Sequence, residues 1–102
     1  MSASPPGIVQ NTSGVRREVT IVNKRGLHAR ASAKLVGAVA AMEGCEVRVA
    51  KDGNCADGGA ILDLMMLGAA RGDTIELIVS GADADARLAE LVALIENGFG
   101  ED

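Results

Sequence analysis

Two stretches of this chain alternate between apolar and polar side chains over most of their length, and that alternation decides what kind of fold is open to it. In Cys45–Lys51, the residues Cys45, Val47 and Val49 fall on one side, with Glu46 and Arg48 on the other. In Thr74–Ser80, Ile75, Leu77 and Val79 oppose Thr74 and Glu76. Successive side chains of a strand point to opposite faces, so each stretch has one face to bury and one to leave in water. Strands of this kind build an antiparallel sheet solvated on one side. Its other side has to be covered by helices.

Local signals supply the remaining elements. Arg17–Asn23 predicts a first strand, with Thr20, Ile21 and Val22 of high β-propensity. Residues 29–41 predict a helix that places Leu35, Val36, Val39 and Met42 on one face, and Gly44 closes it. Asp52-Gly53 is a hairpin signal joining Cys45–Lys51 to a short third strand, Asn54–Ala56. Asp57-Gly58-Gly59 breaks the chain before a second helix over residues 60–67. Asp83 or Asp85 can cap a third helix with an apolar stripe of Ala84, Leu88, Leu91, Val92 and Ile95, which Asn97-Gly98 ends. The order βαββαβα predicts an α+β fold, an open-faced two-layer sandwich of a four-stranded antiparallel sheet with three helices on one face. This is one domain over residues 16–102. Residues 1–15 carry no charged side chain and include Pro5-Pro6-Gly7 and Asn11-Thr12-Ser13-Gly14, so they are expected to form a flexible tail.

Composition narrows the function. Phe99 is the single aromatic residue, which excludes the nucleic-acid modules that stack bases on exposed rings. A net charge of −4 also disfavours nucleic acid. In the predicted hairpin Cys55 lies opposite Ala50, which leaves Cys45 about 16 Å along the sheet. That is far beyond the ~7 Å a disulfide allows. No CxxC or HxxH spacing is present, so no metal site is expected. The sequence shows no signal peptide and no long apolar run, and is read as cytoplasmic without membrane insertion.

His28 is the only histidine, and it falls where the first strand gives way to the first helix. Gly26 allows a sharp turn before it, and the alanine-rich segment after it favours helix. Helix starts leave backbone N–H groups free and carry partial positive charge, which suits anions. The backbone at Ala29 and Arg30 therefore forms a candidate phosphate-binding turn. Charge is unevenly spread as well. Residues 1–51 hold eight Lys/Arg against three Asp/Glu, while residues 52–102 hold two against eleven. Lys24, Arg25, Arg30 and Lys34 bracket His28. A nucleophilic imidazole in that field could accept a phosphoryl group, with Arg30 stabilising it. Position alone also allows a histidine that merely caps the helix.

The second helix is apolar nearly all round, with Asp63 the sole charge among Ile61, Leu62, Leu64, Met65, Met66 and Leu67. A short helix on a small domain cannot bury every side, so some of Leu62, Met65 and Met66 should be exposed as a partner surface.

Gly26-Leu27-His28-Ala29-Arg30, followed by an Ala-rich helix, resembles the active-site motif of the HPr family. These are the histidine phosphocarriers of the phosphoenolpyruvate-dependent phosphotransferase system. Leu64-Met65-Met66-Leu67-Gly68-Ala69-Ala70 with Gly72 resembles the family's second helix and the turn after it, and the likeness spans about residues 16–98. The resemblance implies a carrier rather than an enzyme. It would be phosphorylated by Enzyme I on Nδ1 of His28 with Arg30 holding the group, and would pass it to a histidine of an Enzyme IIA-type protein. A monomer without a cofactor is expected, and the exposed second helix with the basic residues around His28 predicts docking through Arg25, Lys34, Ile61, Leu62, Met65 and Met66. The Met-Met-Leu stretch looks more like the nitrogen-regulatory branch than a pure sugar-uptake carrier. Two positions depart from the pattern. Ala31 replaces a usual proline, and Ala60 stands where many members carry a regulatory serine, so that phosphorylation has no hydroxyl here. The alternative reading is a regulatory binding module whose target binding is switched by phosphorylation of His28.

Overall fold

The computed structural model describes residues 14–101. Four strands, β1 (Gly14–Thr20), β2 (Cys45–Lys51), β3 (Asn54–Asp57) and β4 (Thr74–Gly81), form one sheet in the order β1-β4-β2-β3. Every neighbouring pair is antiparallel. Three helices, α1 (Ala29–Ala40), α2 (Ile61–Met66) and α3 (Ala84–Glu96), complete the βαββαβα order, and a 3₁₀ turn at Gly98–Gly100 follows. The open-faced α+β sandwich expected from the alternation is the fold observed.

The alternation also decides what is buried. Val47 and Val49 of β2 and Ile75, Leu77 and Val79 of β4 are buried beneath Ala31 and Leu35 of α1 and Leu88, Leu91, Val92 and Ile95 of α3. Outward residues of the same strands stay in water, where Arg16 pairs with Glu76 at 3.2 Å across β1 and β4. The Asp52-Gly53 hairpin sets the β2–β3 register with Ala50 opposite Cys55, as the sequence predicts, and both cysteines are free thiols. No helix among the described residues is long and apolar enough to cross a membrane.

Two features differ from expectation by more than a one-residue shift of an element's end. The first strand is Gly14–Thr20 rather than Arg17–Asn23, and Gly14 and Val15, expected in the tail, are its first residues. The cause is the partner strand: β4 reaches Gly81, so its ladder recruits Gly14 opposite Ser80 and Val15 opposite Val79. Below Thr74 the chain turns away at Gly72, and Ile21 bonds that turn instead, through its N–H to Asp73 and its carbonyl to Gly72. Residues 1–13, the rest of the expected tail, lie outside the described residues.

The second difference is the α3 cap. Asp83 occupies the N-cap position but makes no side-chain cap bond. The tight β4–α3 connection, pinned by Ala82 N–H to the Gly44 carbonyl, holds Asp83 left-handed at φ 55°. Side-chain capping requires an extended backbone instead.

Candidate functional site

The site is assembled where β1 ends. Asn23 is buried, and it accepts the Gly26 N–H on its carbonyl while its side-chain Nδ2 donates back to the Gly26 carbonyl at 2.9 Å. These two bonds close the turn over Lys24 and Arg25 and push both cations into solvent. Gly26 is left-handed at φ 64°, and a Cβ there would overlap the Ala69 carbonyl oxygen, so glycine is required twice over. That same carbonyl accepts the N–H of buried Leu27 at 2.9 Å. The turn after α2 is thus bound directly to the turn that presents His28.

His28 is the N-cap of α1, with extended backbone at φ −73°. Its carbonyl accepts the Ser32 N–H at 2.9 Å, and its ring Nδ1 accepts the Arg30 N–H at 3.3 Å. Buried Ser32 donates its hydroxyl to the Leu27 carbonyl, which ties the first helical turn down. Ala31 packs beneath the same turn, fully buried. A proline is favoured in a first turn because its missing N–H costs nothing there, and here Ala31 fills the place by packing.

The opposite edge of the ring meets a segment distant in sequence. After α3, Gly98 and Phe99 take positive φ values of 64° and 59°, and Phe99 buries its ring in the core. Lys34 of α1 donates its ammonium to the Phe99 carbonyl at 2.6 Å. Glu101 is thereby brought to His28, with Oε2 2.8 Å from Nε2, while its Oε1 accepts from Asn23 Nδ2 at 3.0 Å. Hydrogen bonds from His28 and then Asn23, aided by the charge on Lys34, hold the Glu101 carboxyl below the usual carboxylate range. With an N–H donated into Nδ1 and a carboxylate facing Nε2, the neutral ring is assigned its proton on Nε2. Nδ1 then keeps its lone pair at the helix start.

Lys24, Arg25, His28, Arg30, Lys34, Gly100 and Glu101 line an open cavity of about 430 Å³. Four cations and a helix N-terminus face one carboxylate and one imidazole. An anion entering this basin meets positive potential on most sides.

Of the residues singled out from sequence, His28, Ala29, Arg25, Arg30 and Lys34 share this basin or its first helical turn. Arg30 is exposed at its rim, whereas Lys34 also clamps the segment after α3. Ile61, Leu62, Met65 and Met66 lie outside the basin on α2, all four exposed, while Leu64 anchors that helix with no exposed surface. Asn23 and Glu101 escaped sequence reading. Asn23 had one local signal, a polar residue closing a β-strand run. Glu101 had none, because 73 residues separate it from His28.

A family model described as "PTS HPr component phosphorylation site" matches residues 15–97. The phosphocarrier protein HPr of Pseudomonas aeruginosa is 48% identical over 82% of this chain and 93% of its own length. The phosphocarrier protein NPr of Shewanella violacea is 42% identical over 85% of this chain and 94% of its own. The crystal structure of HPr-C-His from Thermoanaerobacter tengcongensis superposes with a TM-score of 0.81 at 33% identity, covering 86% of this chain and 98% of that one.

Proposed function

Since this chain belongs to the HPr family of phosphotransferase-system phosphocarriers, we propose that His28 is its phosphoryl acceptor, charged by Enzyme I and discharged to a histidine of an Enzyme IIA-type protein. The observation that carries the reading is the setting of Nδ1: a nucleophilic nitrogen at the start of α1, inside a basin ringed by Lys24, Arg25, Arg30 and Lys34. In the forward step the Nδ1 lone pair attacks phosphorus of the donor's phosphohistidine. The donor N–P bond breaks, and its electron pair returns to the donor ring. Onward transfer is the same exchange with roles reversed, which is what a carrier between two enzymes needs.

The residues around His28 take distinct parts. The Arg30 N–H, which bonds Nδ1 in the unmodified protein, becomes available to a phosphoryl oxygen, together with the N–H of Ala29 at the helix start. The exposed Arg30 guanidinium adds charge-assisted hydrogen bonds to the same oxygens. No hydroxyl stands at the start of α2, where Ala60 occupies the N-cap, so that position takes no regulatory phosphoryl group.

Docking is proposed through the α2 face. Ile61, Leu62, Met65 and Met66 are exposed beside the His28 turn, joined to it through the Leu27–Ala69 hydrogen bond. Apolar contact there supplies affinity, and Arg25 and Lys34 on the rim speed encounter with acidic partners. Because Met65-Met66-Leu67 resembles the nitrogen-regulatory branch, the proposed acceptors include that branch's Enzyme IIA-type protein, with the exchange taking place in the cytoplasm. Transfer assays run in parallel to sugar-specific and nitrogen-regulatory acceptors separate the two.

Incubation with labelled phosphoenolpyruvate and Enzyme I tests the reading. One acid-labile phosphoryl group should appear, and it should be absent from His28→Ala. Label persisting in that variant contradicts the assignment.

A further inference from the structure

The contact between Glu101 and His28 lies on the face of the ring away from the proposed chemistry, and it bears on where the ring's proton resides during transfer. We propose that Glu101 is a positioning residue for phosphoryl transfer, keeping the proton on Nε2 of His28 through both half-reactions. The inference rests on the reading of His28 as the phosphoryl acceptor.

Three features of the geometry lead to it. Glu101 Oε2 is 2.8 Å from Nε2, on the far side of the ring from the Arg30 N–H that meets Nδ1. The carboxylate is itself fixed, because Oε1 accepts from Asn23 Nδ2 and Asn23 is buried. The backbone leading to Glu101 is fixed as well, by the Lys34 ammonium on the Phe99 carbonyl and by the buried Phe99 ring. Such a fixed carboxylate orients the imidazole and holds its tautomer. Other charged groups facing the ring are all cations: Lys24 and Arg25 from the turn after β1, and Arg30 and Lys34 from α1. Glu101 is the one anion lining the basin among the described residues.

The chemistry explains why a carboxylate belongs there. When Nδ1 of the neutral, Nε2-protonated ring bonds to phosphorus, the ring becomes a phosphoimidazolium carrying one positive charge. The attached phosphoryl anion favours retention of the Nε2 proton, whereas the four neighbouring cations favour its loss. If it were lost, onward transfer would have to expel an imidazolate anion, a poor leaving group. With Glu101 holding the proton, the P–Nδ1 bond breaks, its electron pair returns to Nδ1, and His28 leaves as the same neutral tautomer that began the cycle. No proton needs to enter or leave the ring in either half-reaction.

Wild type, Glu101→Gln and Glu101→Asp are phosphorylated with Enzyme I and phosphoenolpyruvate. For each, hydrolysis of the phosphohistidine is followed against pH, and the ¹⁵N shift of Nε2 reports its protonation directly. Glutamine keeps the shape and an acceptor oxygen but removes the charge. The midpoint of both profiles should therefore fall by about one pH unit in Glu101→Gln, roughly a tenfold smaller protonated-to-neutral ratio at a given pH above the midpoint. Glu101→Asp, which restores a carboxylate on a shorter arm, should recover part of the shift. Superimposable profiles for wild type and Glu101→Gln would overturn the proposal while leaving His28 as the acceptor. Equal shifts in both variants would overturn it as well, since loss of fit rather than of charge would then be the cause. Absence of label on His28 in the wild type would instead remove the functional reading on which it stands.

Discussion

The His28 basin and the exposed face of α2 adjoin one another, yet they are built in opposite ways. In the basin polar atoms are held at several points: Asn23 bridges two segments, Lys34 clamps a third, and both ring nitrogens of His28 have partners. On α2 one buried residue, Leu64, holds a six-residue helix whose remaining apolar side chains face water, with Leu62 at 73% and Met66 at 84% exposure. Phosphoryl transfer between fixed nitrogens requires orientation to within a fraction of an ångström. A surface that must fit a donor and an acceptor in turn gains from flexible, unbranched side chains instead. On the proposed function, rigidity sits where a bond is to be made, and adaptability sits where partners are to be exchanged.

Substitutions should separate the two regions. The largest effect is expected from His28→Ala: complete loss of phosphorylation with the fold retained, read by label incorporation and circular dichroism. Arg30→Glu comes next, because it reverses a charge at the rim of the basin without touching the core. Transfer should slow by about 100-fold, the equivalent of losing one or two charge-assisted hydrogen bonds, with little change in Tm. Rapid-quench kinetics with both partners measure it, and unchanged rates would erase the distinction between basin and patch. On α2, Leu62→Ser and Met66→Ser should each raise KM by about tenfold, from about 1.4 kcal/mol of lost apolar contact, while kcat holds. A fall in kcat alone would show that the patch acts in the chemical step rather than in docking.

Two further effects concern the scaffold. Gly26→Ala forces a side chain into left-handed backbone against the Ala69 carbonyl. It should cost about 1–3 kcal/mol of stability, measured by urea denaturation, and impair both regions because it disturbs the contact they share. The smallest is pH-dependent. A carboxyl held below its ordinary value contributes stability that is present above that value and is lost as pH falls through the folded one. The Tm difference between wild type and Glu101→Gln should therefore persist at neutral pH and vanish in acid below the usual carboxylate range. A difference that survived undiminished below that range would contradict the sign.

The two regions also differ in how far the sequence exposed them. The exposure of Leu62, Met65 and Met66 was legible, because six apolar residues around one charge cannot all be buried on a short helix. The sheet was legible through the alternation in β2 and β4, and even the Ala50–Cys55 register followed from the Asp-Gly hairpin. The β1 boundary was not, because it depends on how far the partner strand extends. In the basin, His28, Arg25, Arg30 and Lys34 were visible as a contiguous basic cluster around a single histidine. Asn23 and Glu101 were not, since their contact spans 78 residues and exists only once Phe99 is buried beneath the turn. Local patterns report local geometry, and the far side of the imidazole is made by tertiary packing.

Nδ1 of His28 is the nitrogen proposed to carry the phosphoryl group. Ring ¹⁵N spectra of the protein, recorded before and after phosphorylation by Enzyme I, test it most directly. Phosphorus–nitrogen coupling is expected at Nδ1, with a proton retained on Nε2 facing Glu101. Coupling at Nε2, or a phosphorylated protein whose His28 signals do not move, would contradict it.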